Sequence, residues 1–224
     1  MTPVDAPDRV PAGVVTDVNV VAELLPIGTR FGGPSAIDKR PVPGRVAVGE
    51  LGLAGDRQVN RVHHGGPDKA VYAYAHEDLA WWAGELGRDL PPGLFGENLT
   101  TRGLSVSDAV IGEVWRIGAD GLRLQVTMPR TPCSTFQRRM AEPRWVKRFT
   151  QAARVGAYVR VLTAGTVGAG DAITLESRPA HGVRVDELFI ARDDAELAHL
   201  RSRLTGSHPD GTGLAGPVRE KLGL

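Results

Sequence analysis

The chain has 224 residues, 42% of them hydrophobic and 24% charged, a composition that describes a soluble globular protein with one main domain and room for a small appendage. Its 27 Lys+Arg stand against 26 Asp+Glu, so the formal net charge of +1 supplies no overall basic field for duplex DNA or an anionic membrane. The single cysteine excludes an internal disulfide and a multi-cysteine zinc site, and no run approaches the roughly 18 apolar residues of a membrane span.

With 28 glycines and 16 prolines, many turns and short elements are expected rather than long helices. Residues 1–12 read as a flexible N-terminus without a signal pattern, and a cytoplasmic protein is expected. The β-branched run from Val14 to Leu24 predicts a strand, as does Arg45–Gly49. The glycine- and charge-rich stretch 49–69 reads as functional loop. Val71–Tyr74 alternates like a strand, and 76–86 reads as a helix with Leu79, Trp82 and Leu86 on one face. Further strands are expected near 109–117, 121–127, 157–163 and 171–177, with tight turns at Gly112-Glu113 and Asp120-Gly121. Residues 134–150 predict a helix broken near Pro143. Short helices follow at 185–191, 193–204 and 217–222, behind a boundary near 179–184. The fold class is mainly β: an antiparallel, barrel-like domain over 13–180 with a few helices, and a short helical C-terminal appendage over 181–224.

Four segments mix polar groups with Gly or Pro between apolar elements, as loops do when they bring functional groups together on a rigid scaffold. They are Leu53–Arg57, His63–Ala70, Phe95–Thr101 and Pro129–Cys133. Cys133 follows two prolines and lies three residues from Arg130, and a nearby guanidinium favours the thiolate, which is both nucleophile and soft-metal ligand. One thiolate cannot hold a bare metal, but it can hold one already chelated by an organic cofactor. Adjacent histidines in extended backbone point opposite ways, so one of His63 and His64 is functional and the other structural. Gly65 and Gly66 permit positive φ and close approach of backbone N–H groups to an anion, with Asp68 and Lys69 as a fixed pair of charges beside them. Glu97 and Asn98 offer a carboxylate and an amide to a heterocycle edge. Arg57, Arg61, Lys69 and Arg130 together make a local anion site in a nearly neutral chain.

In family order, the strings Gly55-Asp56-Arg57-Gln58, His63–Ala70, Phe95–Leu104, Ile111-Gly112-Glu113 and Leu124–Cys133 resemble the MOSC domain family, and within it the YiiM-like bacterial branch. The resemblance covers roughly residues 14–178. It implies a MOSC-type β-barrel and a molybdenum cofactor (molybdopterin-bound molybdenum), with Cys133 matching the family's metal-ligating cysteine. It also implies an oxidoreductase that reduces N-hydroxylated compounds, such as N-hydroxylated purine bases, to amines. In this scheme Arg57, Gly65, Gly66, Asp68, Lys69, Glu97, Asn98, Arg130 and Thr131 bind the cofactor, and His63 or His64 delivers a proton. The partners are a small N-hydroxylated substrate and a separate electron-donor protein, with no nucleic acid or membrane, and the protein is a monomer or homodimer. Three rival expectations stand beside it: a sulfur carrier with a Cys133 persulfide, a non-catalytic cofactor-binding module, and pyridoxal phosphate bound through Lys69.

Overall fold

In the computed structural model, residues 12–26, 33–59, 65–206, 211 and 213–224 are described. The opening β-branched run forms the longest strand, β1 (Gly13–Leu25). Branched side chains pack well on a pleated surface, and Val15 and Val18 are fully buried. The length of β1 lets it serve three antiparallel neighbours in turn: β11 (Ala172–Ser177), then β6 (Leu99–Arg102), then β2 (Ser35–Pro41).

The pairing of β1 with β11 closes the sheet. From β11 the order runs through β7 (Val114–Ile117), β8 (Leu122–Pro129), β9 (Ala157–Thr163), β5 (Val71–Ala75) and β6 to β1, and back to β11. Among the described residues this is a closed seven-strand barrel, which removes the open edges that invite aggregation. β2 extends the sheet beyond β1, and a small side sheet pairs β10 (Gly165–Gly168) with β3 (Arg45–Gly49) and β3 with β4 (Gly52–Leu53). Among the described residues every strand pairing is antiparallel except β5 with β6, whose parallel register requires a crossover. Helix α1 (His76–Leu86) supplies it, with Leu79 and Trp82 turned into the core as the periodicity predicts.

Helices α2 (Ser134–Met140) and α3 (Trp145–Ala152) replace the single broken helix of the sequence reading. The break lies around Pro143, where Ala141 and Arg144 both adopt φ 54°. The two helices carry Phe136, Trp145 and Phe149 against Trp82 and Phe95. The ring centroids lie 4.5 Å apart for Trp82–Trp145 and 5.1 Å for Phe136–Phe149. Helices α4 (Val185–Ile190), α5 (Asp194–Thr205) and α6 (Gly216–Leu222) form the tail. Asp193 caps α5 through a 2.8 Å bond from the Glu196 N–H, and the Glu196 side chain reaches back. The tail is tied to the barrel by Ile111 N–H to Val183 O and Val185 N–H to Ala109 O, both 2.9 Å. Val185, Leu188, Leu200 and Val218 belong to the same continuous core as the barrel.

Two expectations need correction. The strand expected near 109–117 holds only from Val114. Gly112 at φ 85° turns the chain, and the buried Glu113 carboxylate takes the Trp115 indole N–H at 2.7 Å, so 109–113 is a hydrogen-bonded turn. The second concerns 35–41, which carries Asp38, Lys39 and Arg40 and gave no strand pattern, yet forms β2. Its charges are absorbed by ion pairs: Asp38 with Arg40 at 2.8 Å and Arg139 at 2.6 Å, and Lys39 with Asp56 at 2.6 Å.

The aromatic cluster also floors the region described next, since the Arg130 guanidinium sits 3.6 Å from the Phe136 ring centroid. Replacing the fully buried Phe149 by alanine is expected to cost about 3–5 kcal/mol of unfolding free energy, measured by urea denaturation.

Candidate functional site

A cavity of about 120 Å³ opens where β2, the 56–59 loop, the Lys69 turn, the 95–98 loop and the start of α2 converge. All four motif segments singled out from sequence reach it, through Arg57, Lys69, Asn98, Arg130 and Cys133. Among its described lining residues, Lys39, Arg57, Lys69 and Arg130 are cationic, and Asp56 is the single carboxylate.

Asp56 organises this wall. Its Oδ1 accepts the Val21 N–H at 3.0 Å, and its Oδ2 accepts from Lys39 Nζ at 2.6 Å and Asn98 Nδ2 at 2.8 Å. Asn98 also donates to Asn19 O at 3.2 Å, and its Oδ1 accepts the Tyr72 N–H at 3.1 Å. The Asn98 amide is therefore on the cavity wall but largely committed to holding β1, β5 and the loop together. Burial lowers the pKa of Lys39, with the Asp56 carboxylate opposing and the nearby Arg130 charge adding to the depression. Burial likewise lowers Lys69, against Asp68.

Cys133 lies at the N-cap of α2, on the cavity wall near Tyr158. Arg130 is only 6% exposed, and its Nη1 is buried with no hydrogen-bond acceptor among the described residues. Its guanidinium lies against Phe136 and 5.4 Å from the Tyr72 ring centroid, a cation–π setting that fixes its plane. Burial pushes the Tyr72 hydroxyl well above its ordinary pKa and raises Tyr158 too, while the Arg130 charge works against both.

Other expected residues lie beside the cavity rather than on its wall. Glu97 is fully buried and turned into its own loop, where it takes the Gly93 N–H at 2.6 Å and the Phe95 N–H at 3.0 Å. Gly93 is needed there: at φ 84°, a Cβ would come within 2.4 Å of Lys39 O, so only glycine lets this loop lie on β2. Gly66 has φ 91° as anticipated, but its N–H donates to Gln58 Oε1 at 3.0 Å. Asp68 pairs with Arg160 at 3.1 Å, and its carbonyl accepts from Thr127. Thr131 is exposed, and neither it nor Gly65 lines the cavity. His63, His64 and Arg61 lie outside the described residues. Sequence reasoning passed over Lys39, Tyr72 and Tyr158 and gave Asp56 no role. The strand alternation had placed Tyr72 without a function, and nothing in the sequence singled out Lys39.

The barrel and the placement of Cys133 among clustered cations define a class. Residues 60–174 match the MOSC domain profile, and the chain belongs to the MOSC domain family. It is 38% identical to YflK of Bacillus subtilis over 151 residues, 67% of each chain. To YiiM of Escherichia coli it is 36% identical over 151 residues, 66% of each. A protein of Gibberella moniliformis named "Reductase" is 36% identical over 152 residues, which are 65% of this chain and 26% of that one. The match thus spans about two thirds of each bacterial relative and about a quarter of the fungal one. Among solved structures, YiiM of Geobacillus stearothermophilus superposes with a TM-score of 0.73 at 26% identity, covering 94% of this chain and 97% of that one. The Escherichia coli YiiM structure gives 0.69 at 26% identity, over 94% and 90%.

Burial drives the Glu97 carboxyl up to about 7 despite the N–H groups it accepts from. A raised folded-state pKa gives stability that is fully present below the unfolded value, about 4.3, and lost as pH rises through the folded value. Between roughly pH 4.5 and 7, wild type should therefore lose stability relative to Glu97→Gln, by about 3 kcal/mol. Paired melts of the two proteins at pH 5 and pH 8 check this.

Proposed function

We propose that this chain is a molybdenum-cofactor-dependent reductase of N-hydroxylated compounds, with Cys133 as the protein ligand to the metal. The observation that carries the reading is the company Cys133 keeps. The chain's one thiol shares a wall with four cations, and one of them, Arg130, has a buried Nη1 with no acceptor among the described residues. A pterin cofactor with a phosphate and a thiolate-bound metal offers what such a wall lacks: negative charge, acceptor atoms and a soft acid. Membership of the MOSC domain family supports the cofactor, and the fungal relative's name supports a redox role.

When bound, the cofactor supplies the two-electron chemistry that removes oxygen from an N–OH group, leaving amine and water. The chain's own residues bind and tune. Cys133 holds the metal as thiolate. Arg57, Lys69 and Arg130 offset the anionic charge of the phosphate. Gly65, Gly66, Asp68 and Thr131 shape the adjoining turns, while Glu97 and Asn98 hold the loop that faces the pterin. Lys39 and Asp56 keep a charged pair on the wall and restrict the water that enters. His63 or His64 delivers the proton, since imidazole titrates near neutral pH. In this reading the electrons come from a separate electron-donor protein, and the single cysteine supplies no four-thiolate iron–sulfur site in this sequence.

The test is turnover of an N-hydroxylated purine base by protein from cells that make the cofactor, with a chemically reduced viologen as donor. Cys133→Ser should lower turnover by on the order of 100-fold or more with the melting curve nearly unchanged. A wild-type rate in that variant would rule out the ligand role.

A further inference from the structure

We infer that the exposed basic face of α2 and α3, which carries Arg144 and Lys147, is the docking surface for the electron donor, and that the donor is a small acidic protein delivering one electron at a time. The inference rests on the reductase reading above, and its binding test is independent of that reading.

The argument starts from where the chain concentrates its charge. Between Ser134 and Ala152 stand five cations, Arg138, Arg139, Arg144, Lys147 and Arg148, and one carboxylate, Glu142. That segment carries a formal +4 in a chain of +1, so the remaining residues sum to −3. The fold widens the patch. Asp38 on β2 is shared by Arg40 at 2.8 Å and Arg139 at 2.6 Å, and Glu142 is shared by Arg88 at 3.3 Å and Arg148 at 3.8 Å. Each carboxylate thus joins two guanidiniums and balances one. Arg40, Arg88, Arg138, Arg144 and Lys147 are exposed, and neither Arg144 nor Lys147 takes part in an ion pair among the described residues. Glu85 and Asp89 flank Arg88 in sequence, and counting both still leaves three positive charges in excess.

Arg144 is placed against the electrostatics of its own helix. It occupies the N-cap of α3, a position that favours Ser, Thr, Asp or Asn and negative charge. Here the cap is a cation at φ 54° with no capping bond, no acid stands in the first turn, and Lys147 adds a second positive charge there. Local rules broken at an exposed position, with no compensating contact in the fold, mark a functional surface. Like charge disfavours a second copy of this chain across this face, whereas an acidic partner is steered to it. The place also suits the chemistry. Cys133 is the N-cap of α2, and the seven residues of that helix, roughly 10 Å at about 1.5 Å each, separate it from the basic turn. In the proposed reaction two electrons and two protons convert R–NHOH to R–NH2 and water. A one-electron carrier therefore docks reduced and leaves oxidised twice per turnover. A small, charge-steered contact that forms and parts quickly meets that demand.

Isothermal titration of an oxidised plant-type ferredoxin, an acidic one-electron carrier, into the full-length protein tests the surface. One weak site per chain is expected at low ionic strength, fading as salt shortens the Debye length from about 30 Å at 0.01 M to about 8 Å at 0.15 M. The double variant Arg144→Glu/Lys147→Glu should weaken binding by about 10-fold or more, with a melting temperature no lower than wild type, since both changes favour the start of α3. Arg102→Glu/Arg116→Glu, an equal charge change at exposed positions of β6 and β7, should keep most of the affinity. In turnover of an N-hydroxylated purine base, the first double variant should lose ferredoxin-driven rate by a similar factor and keep the rate driven by reduced viologen. Absence of saturable binding at low salt overturns the docking surface, as does an affinity unchanged in Arg144→Glu/Lys147→Glu. An equal loss in both double variants overturns it as well, because the effect would then be net charge acting at a distance. Tighter binding of a labelled DNA or RNA oligonucleotide than of ferredoxin, lost in the first variant, would make this a nucleic-acid surface instead. Ferredoxin binding by a protein that reduces no N-hydroxylated base with viologen would uphold the surface and count against the reductase reading.

Discussion

The buried Asp56 carboxylate is the knot that the rest of the site depends on. Its two oxygens gather a backbone N–H from β1, an ammonium from β2 and an amide from the loop before β6, and that amide in turn holds β5. Four segments distant in sequence are thereby fixed at one point. Each partner relieves the cost of burying the charge, which would be several kcal/mol if it stood alone. Removing the carboxylate would strand the Lys39 ammonium in a site only 11% exposed, with a second cation nearby. A pair of this kind is weak evidence for stability but strong evidence for geometry: it fixes where Lys39 and Asn98 stand relative to Cys133.

Around that knot the barrel supplies rigidity and the aromatic cluster supplies a dry floor. The closed seven-strand ring gives β5, β6, β8 and β9 fixed places, so the loops leaving their ends converge. Phe136 does double duty, packing edge-on against Trp145 and Phe149 and presenting its face to Arg130. The low polarity of this floor strengthens whatever charge interaction Arg130 makes and penalises its isolation. Glu97 works on the other side of the wall, with its carboxylate spent on its own turn, where Gly93 lets the loop lie against β2. Core packing, loop closure and the charge balance of the cavity are thus linked through adjacent residues.

Much of the barrel was legible locally because β1, β5, β9 and β11 are built largely of β-branched, aromatic and small apolar residues, and α1 buries Leu79 and Trp82 at helical spacing. β2 was not legible, because two of its charges are buried against partners from elsewhere: Asp38 meets Arg139, 101 residues away, and Lys39 meets Asp56, 17 residues away. Pairings of that kind exist only once the chain is folded. The same reason divides the site. Cys133 and Arg130 stood out because Pro-bounded, charge-bearing loops are unusual locally. Glu97 stood out for the same local reason, yet its carboxylate closes a turn, and sequence alone does not distinguish a side chain turned into its loop from one turned into a cavity. Tyr72 and Tyr158 read as strand residues and are also cavity wall.

The central claim is that Cys133 holds a metal delivered by an organic cofactor. Elemental analysis of molybdenum, on wild type and Cys133→Ala purified from cells that make the pterin cofactor, tests it most directly. The account predicts near-stoichiometric molybdenum in wild type and its loss in the variant. Molybdenum absent from both proteins, or retained equally in both, would contradict it.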